Sequence, residues 1–251
     1  GQYGWHSHLL KDYGKNVKFI GNAVVGYPKE VWAPVGAGTP VRWGGALHDT
    51  MGALVKSNVF LRWGGAGFAT EDLGAKGNTV HDNYVVEVRG NGNRVDSNFG
   101  TSPGSTGNGF YLAGLDNSIR GNVASSCVNG SGFALVGSGA SNLDNKITDF
   151  LSNEAFCCKR GIDVWYIQGD SIKYFASNTH TNVIDKFRAW HIGESAYVGY
   201  PCHRVQLKDF RVKFPLVGLL AICVAVPMLM QPKIDLPDDE SCGSGALAHD
   251  C

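Results

Sequence analysis

The chain has 251 residues, 43% of them hydrophobic and 18% charged, with 34 glycines against nine prolines. That composition describes a turn-dense β protein with a sizeable core and excludes a collagen-like chain, which needs glycine at every third position. Lys and Arg total 22, as do Asp and Glu; a balanced surface of this kind lacks the basic face that nucleic acid requires, so no nucleic-acid partner is expected.

The chain opens Gly1-Gln2-Tyr3-Gly4-Trp5, without Met, a basic region or an apolar run. A leader is therefore expected either to have been removed or to lie upstream, and the chain reads as a piece of a larger protein. Next comes His6-Ser7-His8. Alternate side chains of a strand share a face, so both imidazoles should project to one side.

A Pro- and Gly-containing stretch, Tyr27 to Thr39, separates this strand from Arg42, Trp43 and His48; Trp63, Glu71 and Asp72 follow, then His81 and Asp82. If stacked coils bring His48 and the Glu71-Asp72 pair alongside His6 and His8, the result is a mixed nitrogen and carboxylate cluster. Such a cluster suits either a transition metal or an acid and a base for cleaving a glycosidic bond. The plainer alternative makes the histidines polar residues at a rung's edge, with Glu71 and Asp72 capping the strand after Thr70 by accepting turn N–H bonds.

A recurring phrase runs through the chain. Its first half is a Gly-aromatic-apolar strand at Gly67-Phe68-Ala69-Thr70, Gly109-Phe110-Tyr111-Leu112 and Gly132-Phe133-Ala134-Leu135, and more loosely at Gly161-Ile162-Asp163-Val164. The second half, Asn-x-apolar-x-x-Asn or a near variant, runs from Asn16 to Asn22, Asn78 to Asn83, Asn93 to Asn98 and Asn117 to Asn122. The step of about 23 residues from Gly109 to Gly132 is the length of a solenoid coil. The fold expected is all-β, a right-handed parallel β-helix over residues 1–230, with interior ladders of alternate side chains and with Gly and Asn supplying left-handed turns. The stacked asparagines are expected to cap backbone groups, with a sugar-lining groove as the alternative.

Seven cysteines, Cys127, Cys157, Cys158, Cys202, Cys223, Cys242 and Cys251, show no repeated C-x-x-C spacing and hence no zinc-finger signature. Some are expected to pair in an oxidising compartment, and the odd count leaves at least one free or joined to another chain. Asn129-Gly130-Ser131 is a glycosylation sequon. The uncharged run from Phe214 to Met230 is short for a membrane span and is broken by Pro215, Gly218 and Pro227. It is read first as a buried final rung, with a membrane segment or a docking surface as alternatives. Residues 231–251 are expected to form an acidic, Cys-containing tail.

Three segments carry a resemblance: Trp5-His6-Ser7-His8, the stretch Leu47 to Val59, and Gly64-Gly65-Ala66-Gly67-Phe68-Ala69-Thr70-Glu71-Asp72. In that order they resemble the β-helix of the G8-domain-associated extracellular proteins, a group with hyaluronan-depolymerising and fibrocystin-like members. The resemblance covers roughly Trp5 to Asn122 and continues as generic coils to about Phe214. The chain departs from the group's pattern at the Tyr27 to Thr39 insertion and at Leu73, where the group turns at Gly.

The resemblance implies an extracellular or cell-surface location and two function classes. Hyaluronan-depolymerising members imply a glycosaminoglycan-processing site. Its catalytic candidates here are His8, His48, Glu71 and Asp72, its substrate-binding candidates Arg42, Trp43 and Trp63, and its candidate metal ligands His6 and His8, with calcium or zinc as the cation. Trp5 and Trp32 join the aromatics available for stacking on sugar rings. Fibrocystin-like members imply a non-catalytic rod that joins other protein chains of an extracellular assembly.

Overall fold

The computed structural model describes residues 3–26, 43–90, 106–137, 146–165, 167, 180–199, 204–213 and 230–234. Arg42, Trp32, the Tyr27 to Thr39 insertion, the Asn93 to Asn98 repeat, Cys202, Cys223, Cys242 and Cys251 lie outside the described residues, as does the run after Lys213 up to Met230.

Among the described residues the regular structure is strand, with one 3-10 turn at Asp12–Asn16. In chain order the strands are β1 (Tyr3–Lys11), β2 (Lys18–Ile20), β3 (Ala23–Val25), β4 (Trp43–Thr50), β5 (Leu54–Lys56), β6 (Val59–Trp63) and β7 (Phe68–Thr70). Then follow β8 (Thr79–His81), β9 (Tyr84–Val88), β10 (Phe110–Leu112), β11 (Ser118–Arg120), β12 (Val123–Cys127), β13 (Ser131–Val136) and β14 (Asp149–Leu151). The last group is β15 (Glu154–Phe156), β16 (Arg160–Trp165), β17 (Asn182–Asp185), β18 (Arg188–Trp190), β19 (Ser195–Gly199), β20 (Val205–Lys213) and β21 (Met230–Ile234).

Nearly every strand pairs in parallel with the strand three further along. One sheet runs β1-β4-β7-β10-β13-β16-β19. The other carries β2-β5-β8-β11-β14-β17 on one limb and β3-β6-β9-β12-β15-β18 on the other, joined through the long β20. All the ladders are parallel, an all-β arrangement compatible with a solenoid. β21 adds a further parallel strand to β20, so sheet pairing extends to Ile234.

The register explains the short apolar strands. Phe68, Phe110, Phe133, Ile162 and Tyr197 stand in line on the first sheet. Val55, Val80, Ile119, Phe150 and Ile184 do so on one limb of the second. All of these are buried; fully burying a side chain of this size contributes about 1.5–3 kcal/mol. Phe110 and Phe133 stack, 4.8 Å apart at 8°, while Phe68 and Phe110 meet tilted at 55°.

Asparagine enters this interior as two ladders. Asn22, Asn58, Asn83, Asn122 and Asn153 form the first: each backbone N–H donates to the next Asn Oδ1, at 2.9 to 3.0 Å. Asn78 and Asn117 form part of the second, with Asn182 in the same role under Ile147. The side chains therefore cap backbone groups, as expected. The left-handed conformation, however, belongs to the residue just before the Asn: Gly21, Ser57, Asp82, Gly121 and Ser152 all have positive φ. The repeat glycines serve another purpose again. Gly109 lies where a Cβ would come within 2.6 Å of Ala124 Cβ, so the sheets approach too closely there for any side chain.

Candidate functional site

β1 and β4 pair in register, His6 opposite Ala46 and His8 opposite His48. β7 follows β4, Leu47 opposite Thr70, so Glu71 emerges one residue beyond the ladder next to His48. Ser7 and Leu47 turn inward and are buried, leaving His6, His8 and His48 on the opposite face. Strand alternation and parallel register together thus gather three imidazoles and two carboxylates from three adjacent strands and the turn after the last.

The contacts are close. His48 Nδ1 lies 3.1 Å from Glu71 Oε2, and His48 Nε2 lies 3.0 Å from Asp72 Oδ2. His6 Nε2 is 3.9 Å from the same Glu71 oxygen. The His8 ring meets the His48 ring edge-on at 4.6 Å and the His6 ring at 5.0 Å. Glu71 Oε1 accepts a 2.5 Å hydrogen bond from the Tyr3 hydroxyl, and Tyr3 stacks on His6 at 4.0 Å.

Exposure separates the roles. The Glu71 side chain is 7% exposed while those of His48 and Asp72 are 35% exposed, and His8 faces solvent. Burial raises the Glu71 pKa, with the Tyr3 hydrogen bond and His48 opposing it. Burial lowers that of His6, helped by His8 and His48. Tyr3 is held well above the ordinary tyrosine range by burial and by Glu71, and burial pushes Tyr111 up to about 12.

Asp72 also fulfils the structural reading. Its Oδ1 accepts from the Asp49 and Ala75 backbone N–H groups at 3.1 and 3.0 Å, capping the turn, while Oδ2 is left for His48. Glu71 shows no such capping contact among the described residues; its oxygens face Tyr3, His48 and His6.

The tryptophans are placed differently. Trp63 belongs to the core and donates its indole N–H to the Val24 carbonyl at 3.2 Å; Trp43 is buried and stacks on Tyr3 at 5.1 Å. Neither presents an open ring face. Trp5 packs inside against Phe19 at 4.3 Å.

Tyr3 is the site residue that strand alternation hides. A strict two-residue period would put Tyr3 inside with Trp5, yet Tyr3 and Trp43 join the outer apolar cluster that contains Ala46. In β1 the period breaks at Gly4, where a Cβ would meet Val24 and Trp63, and in the partner strand β4 it breaks at Gly44 and Gly45, which face Phe60. Gly4, with the double glycine at 44–45 opposite it, was the available signal.

A second polar constellation lacks the order needed for nucleophilic catalysis. His81 Nε2 lies 2.7 Å from Ser118 Oγ, which donates to Asp149 Oδ2 at 2.5 Å, and Arg120 donates to the same oxygen. With its proton committed to Asp149, the hydroxyl offers His81 only a lone pair, so the imidazole donates instead of acting as a base.

Compared with known proteins, the chain matches no family model, no curated protein and no solved structure.

Proposed function

We propose that this chain is a right-handed parallel β-helix of the G8-domain-associated type, extracellular and glycan-associated, and that it binds or depolymerises a glycosaminoglycan-like polysaccharide at the His6, His8, His48, Glu71 and Asp72 cluster. The observation that carries this reading is the convergence of three imidazoles and two carboxylates from three coils within hydrogen-bonding or ring-contact distance. A purely structural rung edge has no need for so many titratable groups in mutual contact, whereas functional sites concentrate them.

In the catalytic form of this reading, the groups open to solvent meet the sugar chain. An acidic group of the cluster gives its proton to the leaving glycosidic oxygen, and a neighbouring imidazole or carboxylate takes one from the attacking water, or from the sugar if the reaction is an elimination. His8, His48 and Asp72 are the accessible members, with Glu71 beneath them.

The test is depolymerisation of a panel of glycosaminoglycans, followed by size-exclusion chromatography, comparing the parent with His8→Ala and Asp72→Asn. Loss of cleavage by about 10²-fold or more in folded variants is the expected outcome for acid–base groups. A folded parent that cleaves no member of the panel and retains none on a glycan affinity column removes the glycan reading. A rod-like module of an extracellular assembly is then the better one.

A further inference from the structure

We infer that His6 Nε2, His48 Nδ1 and Glu71 Oε2 bind one divalent transition-metal ion of the zinc class. The inference deepens the reading above, in that it rests on the same cluster and names an inorganic ligand for it. The three atoms lie within 4.8 Å of one another. Tetrahedral ligands about 2.0–2.2 Å from zinc stand roughly 3.3 Å apart, so side-chain adjustments of about 1 Å close the shell. Three protein ligands leave a further position for water or a substrate oxygen, as catalytic zinc sites do.

The hydrogen bonds around the three ligands prepare them. Asp72 Oδ1 is occupied by two backbone N–H groups, so Oδ2 is what faces His48 Nε2 at 3.0 Å. An ionised carboxylate oxygen only accepts, so Nε2 carries a proton, and in the neutral form of the ring, the form that binds metal, the lone pair sits on Nδ1. This is the carboxylate–histidine arrangement that orients metal-bound imidazoles.

Glu71 is prepared in the same way. The Tyr3 hydroxyl takes Oε1 and leaves Oε2 turned toward both histidines. With the ring neutral and Glu71 ionised, Nδ1 and Oε2 oppose each other at 3.1 Å as two lone-pair-bearing atoms, a contact that a bound metal ion relieves as a shared proton does. His6 supplies an independent indication: its Nε2 is buried and makes no hydrogen bond, while stacking on Tyr3 holds the ring in place. A buried polar nitrogen without a partner is destabilising, and a metal bond removes that cost.

The donor set also selects the ion. Two imidazoles and one carboxylate favour zinc, cobalt, nickel or copper over calcium and magnesium, which take shells of oxygen. Of the two cations expected from sequence, the geometry points to zinc.

The experiment is titration of the metal-free 251-residue chain with Co(II), read by visible d–d absorption, followed by displacement with Zn(II). One equivalent is expected to bind, with no sulfur-to-cobalt charge-transfer band, and zinc is expected to displace it. His6→Ala and His48→Ala, checked for folding by circular dichroism, should weaken binding by more than about 100-fold, and Asp72→Asn by roughly 10- to 100-fold. His81→Ala, which removes an imidazole elsewhere, should leave it unchanged.

Absence of d–d absorption in the folded parent overturns the inference. So does affinity that survives both His6→Ala and His48→Ala, or a charge-transfer band that assigns the metal to thiolates. The titration contains no glycan, so metal binding without glycan turnover would leave the metal site standing and remove only a catalytic role. Glycan cleavage undiminished in chelator-treated, metal-free protein would show the reverse separation.

Discussion

Asn83 accepts from the Asn58 backbone N–H and side-chain amide at 3.0 and 2.9 Å, and donates to the Val55 carbonyl and to Asn122 Oδ1, both at 3.0 Å. No water reaches it, since Asn58, Asn83 and Asn122 are all buried. Asn83→Ala would leave the Asn58 N–H and the Val55 carbonyl without that partner, and an unsatisfied buried group costs about 1–3 kcal/mol. Urea unfolding should therefore show a loss of about 3 kcal/mol, against less than about 1 kcal/mol for Asn22→Ala at the exposed end of the ladder. A loss at Asn83 no larger than at Asn22 would mean that the ladder is not a stabilising network. The sequence phrase marked Asn78, Asn83, Asn117 and Asn122 but passed over Asn153 and Asn182, whose coils lack the second Asn of the pair. Local spacing could not reveal that a single Asn continues a ladder begun in the coil before.

At the scale of the strand, the informative glycines are those that precede the interior aromatics. A Cβ at Gly132 would collide with Ala155 Cβ across the narrow core and come within 3.0 Å of the Gly161 carbonyl. Gly132→Ala should cost about 1–3 kcal/mol by overpacking, and Ala155→Gly in the same chain should recover part of it. A double-mutant cycle measures this, and strictly additive losses would show that the two positions are not opposed. Cys127 and Cys158 sit in the same interior; contact with the Cys158 thiol and burial raise the Cys127 pKa well above the ordinary thiol range, which keeps the thiol protonated. The aromatic-apolar strands were legible because their two-residue alternation needs only local information. The break at Gly4, matched at Gly44-Gly45 in the partner strand, leaves Tyr3 outward beside Glu71; it was not legible, because the groups these glycines face, Val24, Phe60 and Trp63, come from other strands.

Over the whole molecule, stability is expected to be distributed as in a stack of units that each touch only their neighbours. The first coil is the most open: in β2 and β3 only the central residue is half-buried, and Leu9, Ile20 and Val25 are exposed. By contrast, β7 and β10 are buried at every position. Hydrogen exchange should therefore be fastest in β2 and β3 and slowest in β7, β10 and β13, because local opening follows buried contact density. Uniform protection along the stack would indicate a single cooperative unit instead. The histidine and carboxylate cluster bridges the open first coil and the next two coils, so an ion bound there would be expected to slow exchange in β1 first.

The sequence by itself determined the all-β character, the inward aromatic and aliphatic rows, and the sharing of one face by His6 and His8. Each of these follows from side-chain alternation and turn chemistry acting over a few residues. Tertiary structure alone decided that His48, Glu71 and Asp72 meet those histidines, that Tyr3 holds Glu71, and that Trp63 is core while Trp43 stacks on Tyr3. Those facts depend on inter-coil register and on the distance between sheets. Both are set by the packing of residues some 23 to 68 positions apart, and no local pattern encodes them.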